Sequence, residues 1–158
     1  MYSLHIDYPD LAEEERIATI TTTNEVATVQ PIFSKEELLE MQTLVREIPV
    51  SPHVVRYAVT LARSTRPASA SATPKVRQYV EWGAGPRAAQ YLVLGAKALA
   101  VMQGKPTPTG ADVRELARLV LRHRVMVNYA AVADGVRSAD LVEDVVRNVP
   151  EPDYAAAF

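Results

Sequence analysis

The chain has 158 residues, a hydrophobic content of 48% and no cysteine. This length predicts one domain with its own core, and the lack of cysteine excludes disulfides, thiolate catalysis and cysteine-based zinc sites. No apolar run approaches the ~20 residues that a membrane span requires. We therefore expect a cytoplasmic protein without a membrane span.

The net charge of −2 conceals a segregated distribution. Residues 1–48 carry ten acidic and three basic side chains, whereas residues 49–128 carry twelve basic and three acidic ones. Residues 129–158 are acidic again, with six acidic side chains against two basic ones. The basic middle indicates either a site for an anion or an acidic partner, or a surface that the acidic ends fold over. The sequence leaves both interpretations open.

Taken in chain order, the sequence predicts one strand followed by helices. Residues 1–8 alternate weakly in polarity, but no second β segment of useful length follows them. Capping residues and apolar side chains at helical spacing then predict seven helices, which begin near Pro9, Ser34, Ser51, Pro74, Pro86, Thr109 and Ser138. Residues 67–73, PASASAT, predict a flexible loop, and the tail 149–158 a frayed end. The predicted fold class is all-α, a helical bundle with one orphan N-terminal strand.

The helix from Pro86 to Gln103 is apolar on almost every side, which predicts a buried central helix. Gly85 is its expected N-cap and Pro86 its first residue, so Arg87 falls in the first turn. A cation there is disfavoured by ~0.3–1 kcal/mol, whereas a bound anion would reverse the sign, because helix N-termini and guanidinium groups both bind phosphate. The alternative is an ion pair between Arg87 and Glu81, and the residues alone favour neither.

The other motifs in the sequence give weaker evidence of a functional site. The three histidines are far apart, with no second ligand three or four residues away, so no metal site is predicted. Residues 83–88, GAGPRA, match the dinucleotide-binding pattern superficially, but no strand precedes them and Pro86 lacks the N–H that a phosphate would need. The basic cluster Arg122-His123-Arg124 ends a predicted helix, where the helix dipole favours cations and a structural role.

The specific likeness lies in residues 79–88, YVEWGAGPRA, and the alanine- and leucine-rich helix that follows and ends in Gln103-Gly104-Lys105. This stretch resembles the second-sensor segment of MoxR-type AAA+ ATPases. Further segments resemble parts of that family's C-terminal helical lid over about residues 4–147, namely residues 6–9, 48–51, 65–67 and 120–124. The commoner family motif has serine where Gly85 stands.

The resemblance implies an AAA+ lid-type bundle at residues 9–148, with residues 1–8 as the trailing strand of a missing AAA+ core. It also implies that Arg87 is the catalytic second-sensor arginine and that Gly85, Pro86 and Arg87 bind the cofactor, ATP, whose Mg²⁺ the missing core holds. The phosphate loop, the Walker B acids, the first sensor and the arginine finger are missing from this sequence. We therefore expect the parent protein to be an ATPase and this chain alone to be inactive.

The implied function is to close over bound ATP and to couple its hydrolysis to chaperone-like remodelling. The implied partners are the AAA+ core of the same protein, neighbouring subunits in a ring, and von Willebrand factor A-domain proteins. The alternative is an all-α module that binds nucleic acid or protein through the basic middle. A pI of about 5.9 and the lack of aromatic residues among the basic ones favour a chain that binds no nucleic acid.

Overall fold

The computed structural model describes residues 2–24 and 28–151. Within these ranges the chain forms eight helices and one pair of short strands. In chain order the elements are α1 (Leu11–Thr21), α2 (Lys35–Glu47), α3 (Pro52–Ser64), α4 (Pro74–Tyr79), β1 (Val80–Trp82), α5 (Pro86–Met102), α6 (Gly110–Leu121), β2 (Met126–Val127), α7 (Tyr129–Ala133) and α8 (Ser138–Asn148). The predicted helical bundle is confirmed.

Three helices begin with a reciprocal capping box, in which the N-cap side chain accepts a hydrogen bond from the third helical N–H. The side chain of that third residue accepts one in return from the N-cap N–H. The pairs are Asp10 with Glu13 in α1, Ser34 with Glu37 in α2, and Thr109 with Asp112 in α6. Because both partners lie within one turn, the sequence placed these starts to within a residue or two.

The core lies where α3, α5 and α6 pack against one another, with α8 against α6 and α3. Small side chains on α5 allow this close approach: Ala88, Ala96 and Ala100 are fully buried, and so is the larger Leu92. The predicted central helix is therefore confirmed. In contrast, α1 and α2 contain no buried residue.

The strand predicted at residues 1–8 is not formed, since residues 2–9 have no regular secondary structure (Met1 lies outside the described residues). The Ser3 N–H donates to the carbonyl of Leu119 at 2.9 Å, and the Tyr2 hydroxyl lies against Gly95 of α5. A strand needs a second strand for its hydrogen bonds, and none lies beside this segment in the part of the chain described. Its role as the last strand of an AAA+ core stays a prediction about a longer protein.

The helix predicted to begin near Pro74 is short and ends at Tyr79. Residues 80–82 instead form β1, which pairs antiparallel with β2 so that Val80 lies opposite Val127. The helix α7 also follows β2 without having been predicted, capped by the Asn128 side chain. Both elements are too short to show a hydrophobic period.

The loop at residues 67–73 is held in turns, which differs from the flexible loop that its composition predicts. The Arg77 guanidinium donates to the carbonyls of Pro67 and Ser69, and the Ser64 hydroxyl bonds that of Ser71. Most of the tail predicted to fray, residues 152–158, lies outside the described residues.

Candidate functional site

The predicted nucleotide-binding residues lie at the N-terminus of α5. Gly85 is the N-cap, with extended backbone (φ −79°, ψ 179°), and Pro86 is the first helical residue, as the sequence predicts. Gly85 has no side chain with which to cap the first turn, and no side-chain cap hydrogen bond is present. Gly85, Pro86 and Arg87 are all exposed, so this helix end faces outward.

Arg87 has no ion-pair partner within the described residues. The alternative that the sequence left open, a pair with Glu81, is therefore not formed. The exposed guanidinium lies in the first turn of a helix, where the partial positive charge of the backbone opposes it. The structure thus leaves a cation without a counter-charge at the end of the helix best suited to an anion.

The loop before Arg87 is fixed to the end of α3, because both backbone polar groups of Ala84 form hydrogen bonds with it. The Ala84 N–H donates to the hydroxyl of Thr65 at 2.8 Å, and the Ala84 carbonyl accepts from Nε of Arg66 at 2.9 Å. The Thr65 hydroxyl in turn donates to the carbonyl of Ala62 at 2.7 Å. Thr65 is buried, Arg66 is half-buried, and Ala84 is only 1% exposed.

The loop and α3 are also in close steric contact at Gly83. A Cβ added at Gly83 would lie 2.7 Å from Cα of Arg66 and would collide with the carbonyl oxygen of Thr65. Only a residue without a side chain lets the two backbones approach this closely. Sequence reasoning matched residues 65–67 to a family segment but assigned Arg66 no role, because this contact joins residues about 18 positions apart.

A groove of about 870 Å³ runs between α2, α3 and α5 beside this loop. Its charged lining residues are all basic, and its remaining lining is largely apolar: Arg46, Val55, Val59, Ala62, Arg63, Arg66, Pro86, Ala89, Gln90, Tyr91, Val93, Leu94 and Lys97. Among the described residues, no carboxylate of the acidic ends lines this groove. This groove with its basic lining lies next to the N-terminus of α5.

The second basic cluster is used in packing. The Arg124 guanidinium lies over the ring of Tyr91, 5.2 Å from its centre. Burial, together with the neighbouring positive charge of Arg124, lowers the pKa of His123. The dipole and cation–π contacts agree with the structural role that the sequence favours here.

Among residues 2–24 and 28–151, no group of three or more histidine and carboxylate side chains could hold a metal ion. None of the helices in these residues is long and apolar enough to cross a membrane.

Residues 74–145 match the family model of the AAA lid domain. Over 156 residues the chain is 28% identical to Chaperone MoxR1 of Mycobacterium tuberculosis, covering 99% of this chain and 41% of that protein. It is 23% identical over 153 residues to the uncharacterized protein YeaC of Bacillus subtilis, covering 96% of this chain and 45% of YeaC. A crystal structure described as a candidate ATPase of Cytophaga hutchinsonii superposes with a TM-score of 0.82 at 28% identity, over 97% of this chain and 47% of that one.

Residues 74–145, from the start of α4 into α8, are thus similar to the AAA lid domain. The resemblance of the chain to MoxR-type AAA+ ATPases, which the residues around Arg87 indicate, is confirmed over nearly its whole length. The chain spans less than half the length of the relatives it matches.

Proposed function

We propose that this chain is the nucleotide-responsive lid of a MoxR-type AAA+ ATPase and that Arg87 is its second-sensor residue. The observation that supports this most is the exposed guanidinium of Arg87, which has no ion-pair partner among the described residues, at a helix N-terminus that lacks a side-chain cap. Such a group costs free energy where it stands unless an anion meets it. A phosphate of ATP is an anion that would meet this requirement in an ATPase.

The residues present suit one side of a nucleotide site. Gly85 leaves the first turn of α5 open, Pro86 is the first helical residue, and Arg87 supplies a planar fork of donors for phosphate oxygens. Bound ATP supplies the phosphoanhydride bond that is cleaved. The described residues offer no cluster for Mg²⁺, so we assign the metal and the attacking water to the core domain of the longer protein.

In this proposal the lid closes over bound ATP and brings Arg87 onto the charge that develops during phosphoryl transfer. Lid rotation would then pass to neighbouring subunits of a ring and drive chaperone-like remodelling, in line with the name of the relative MoxR1. von Willebrand factor A-domain proteins are the proposed partners of such a ring. A cytoplasmic location stays a prediction.

The test is Arg87→Ala in the full-length ATPase. We expect turnover to fall by ~10²-fold or more, as when one preorganised electrostatic donor is removed. Arg87→Lys should recover part of the rate, because it keeps the charge and loses the bidentate fork. The melting temperature of the 158-residue chain should stay within ~2 °C of wild type in both variants, since an exposed first-turn arginine packs against little.

Arg56→Ala is the matched control, because Arg56 is also an exposed helical arginine in the basic middle. It lies near the start of α3, about 15 Å along the helix from the end that contacts Gly83 and Ala84. Its loss should leave turnover unchanged. An Arg87→Ala enzyme that hydrolyses ATP at the normal rate would refute the second-sensor proposal. Tight, salt-dependent DNA binding that both substitutions weaken equally would support the nucleic-acid alternative instead.

A further inference from the structure

The local sequence decides at which residue α5 begins, but the end of α3 holds that start in place. Gly85 cannot cap the helix, and Pro86 contributes no N–H, so local hydrogen bonds do little to fix the direction in which the first turn points. The fixed point is one residue earlier, at Ala84. Both of its backbone polar groups bond to residues 65 and 66.

The two bonds on Ala84 differ in strength. The hydroxyl of Thr65 accepts as a neutral group, whereas Arg66 donates from a charged guanidinium, and charge-assisted hydrogen bonds are roughly twice as strong. Arg66 is half-buried beside the fully packed Thr65, so water competes poorly for the Ala84 carbonyl. Contact at Gly83 with Cα of Arg66 brings the two backbones together at the same place.

We infer that Arg66 is the positioning residue of the second sensor: its guanidinium holds the Ala84 carbonyl and thereby fixes the position in space from which Arg87 presents its charge. Arg66 acts through Arg87 and not on the nucleotide. This inference rests on the proposed function of Arg87. We therefore expect the rate of ATP turnover to depend strongly on Arg66, because a displacement of a catalytic group by about 1 Å can lower a rate by up to ~10²-fold.

The experiment compares ATP turnover of the full-length protein with Arg66→Ala, Arg66→Lys and a matched control, Arg77→Ala. Arg77 also donates to backbone carbonyls, those of Pro67 and Ser69, but these belong to the 67–73 loop and do not lead to α5. Arg66→Ala should lower kcat by about 10-fold with KM for ATP within about twofold of wild type, since the positioned charge acts mainly in the transition state. Arg66→Lys should recover part of kcat, and Arg77→Ala should leave both constants unchanged.

A double-mutant cycle separates positioning from stability. In an Arg87→Ala background, Arg66→Ala should produce no further fall in kcat, because the group it positions is already gone. A merely structural Arg66 would lower the rate by the same factor in both backgrounds. Melting temperatures of the 158-residue chain are measured for every variant, and if Arg66→Ala does not fold, Arg66→Lys is carried through the same cycle.

Each outcome has one meaning. If Arg87→Ala slows turnover but Arg66→Ala does not, the positioning role is wrong and the second-sensor proposal stands. If Arg66→Ala does not fold, the same conclusion is drawn from Arg66→Lys. Additive losses in the cycle, or an equal loss in Arg77→Ala, also overturn the positioning role. If Arg87→Ala has no effect on turnover, the proposed function itself fails.

Discussion

Gly83 offers the sharpest test of how the loop before α5 is built. An alanine at this position would place its methyl group 2.7 Å from Cα of Arg66 and in collision with the carbonyl oxygen of Thr65. Both are backbone atoms, which cannot rotate away as a flexible side chain could. The loop must therefore move off the end of α3, and the two hydrogen bonds of Ala84 must lengthen or break.

The magnitude follows from three contributions. Steric overpacking costs ~1–3 kcal/mol, and weakening two hydrogen bonds costs ~1 kcal/mol for each. Alanine restricts the unfolded chain more than glycine does, which returns ~0.4–1 kcal/mol. The net loss of unfolding free energy in Gly83→Ala is about 2–5 kcal/mol, or a fall in melting temperature of ~4–20 °C for a chain of this size.

The assay is thermal and urea unfolding of the 158-residue chain, followed by circular dichroism at 222 nm. Gly85→Ala is the matched control: it lies two residues further along the same loop, and a Cβ there would have no heavy atom within 4 Å. Its loss should be under ~1 kcal/mol and come from the poorer N-cap alone. Equal melting temperatures for the two variants, or a Gly83→Ala chain as stable as wild type, would refute the close contact between the loop and α3.

Two further predictions concern the scaffold. Leu92 is fully buried, so Leu92→Ala should lower the unfolding free energy by ~2–5 kcal/mol through a cavity. Met102 in the same helix is 83% exposed, so Met102→Ala should change the unfolding free energy by under ~0.5 kcal/mol. The urea midpoints of the two variants check this difference. Burial tends to raise the pKa of Asp112, but its hydrogen bonds with Lys105 and Thr109 outweigh burial and hold the pKa below the ordinary value of 3.8. A lowered native pKa gives stability that is present above pH 3.8 and is lost as the pH falls through the native pKa, so the acid-side fall in urea midpoint should be shallower in Asp112→Asn; an unchanged pH dependence would contradict this.

The sequence by itself determined the elements whose causes are local. The capping boxes of α1, α2 and α6 join residues three apart, and the apolar stripes repeat within each helix, so helix starts and the buried α5 could be predicted. The placement of Gly85 as N-cap and of Arg87 in the first turn is local in the same way, and the structure confirms it. A local pattern of ten residues around Arg87 also carried the family resemblance.

Only the tertiary structure decided the features that join distant segments. β1 pairs with β2 across about 45 residues, and neither strand is long enough to show a period of two. Residues 2–9, although weakly alternating, have no neighbouring strand to pair with in the described structure and therefore do not form one. The hydrogen bond from Arg66 to Ala84 joins the end of α3 to the loop before α5, and it depends on how these two helices pack. Such contacts follow from the shape of the packed core, which no spacing along the chain specifies.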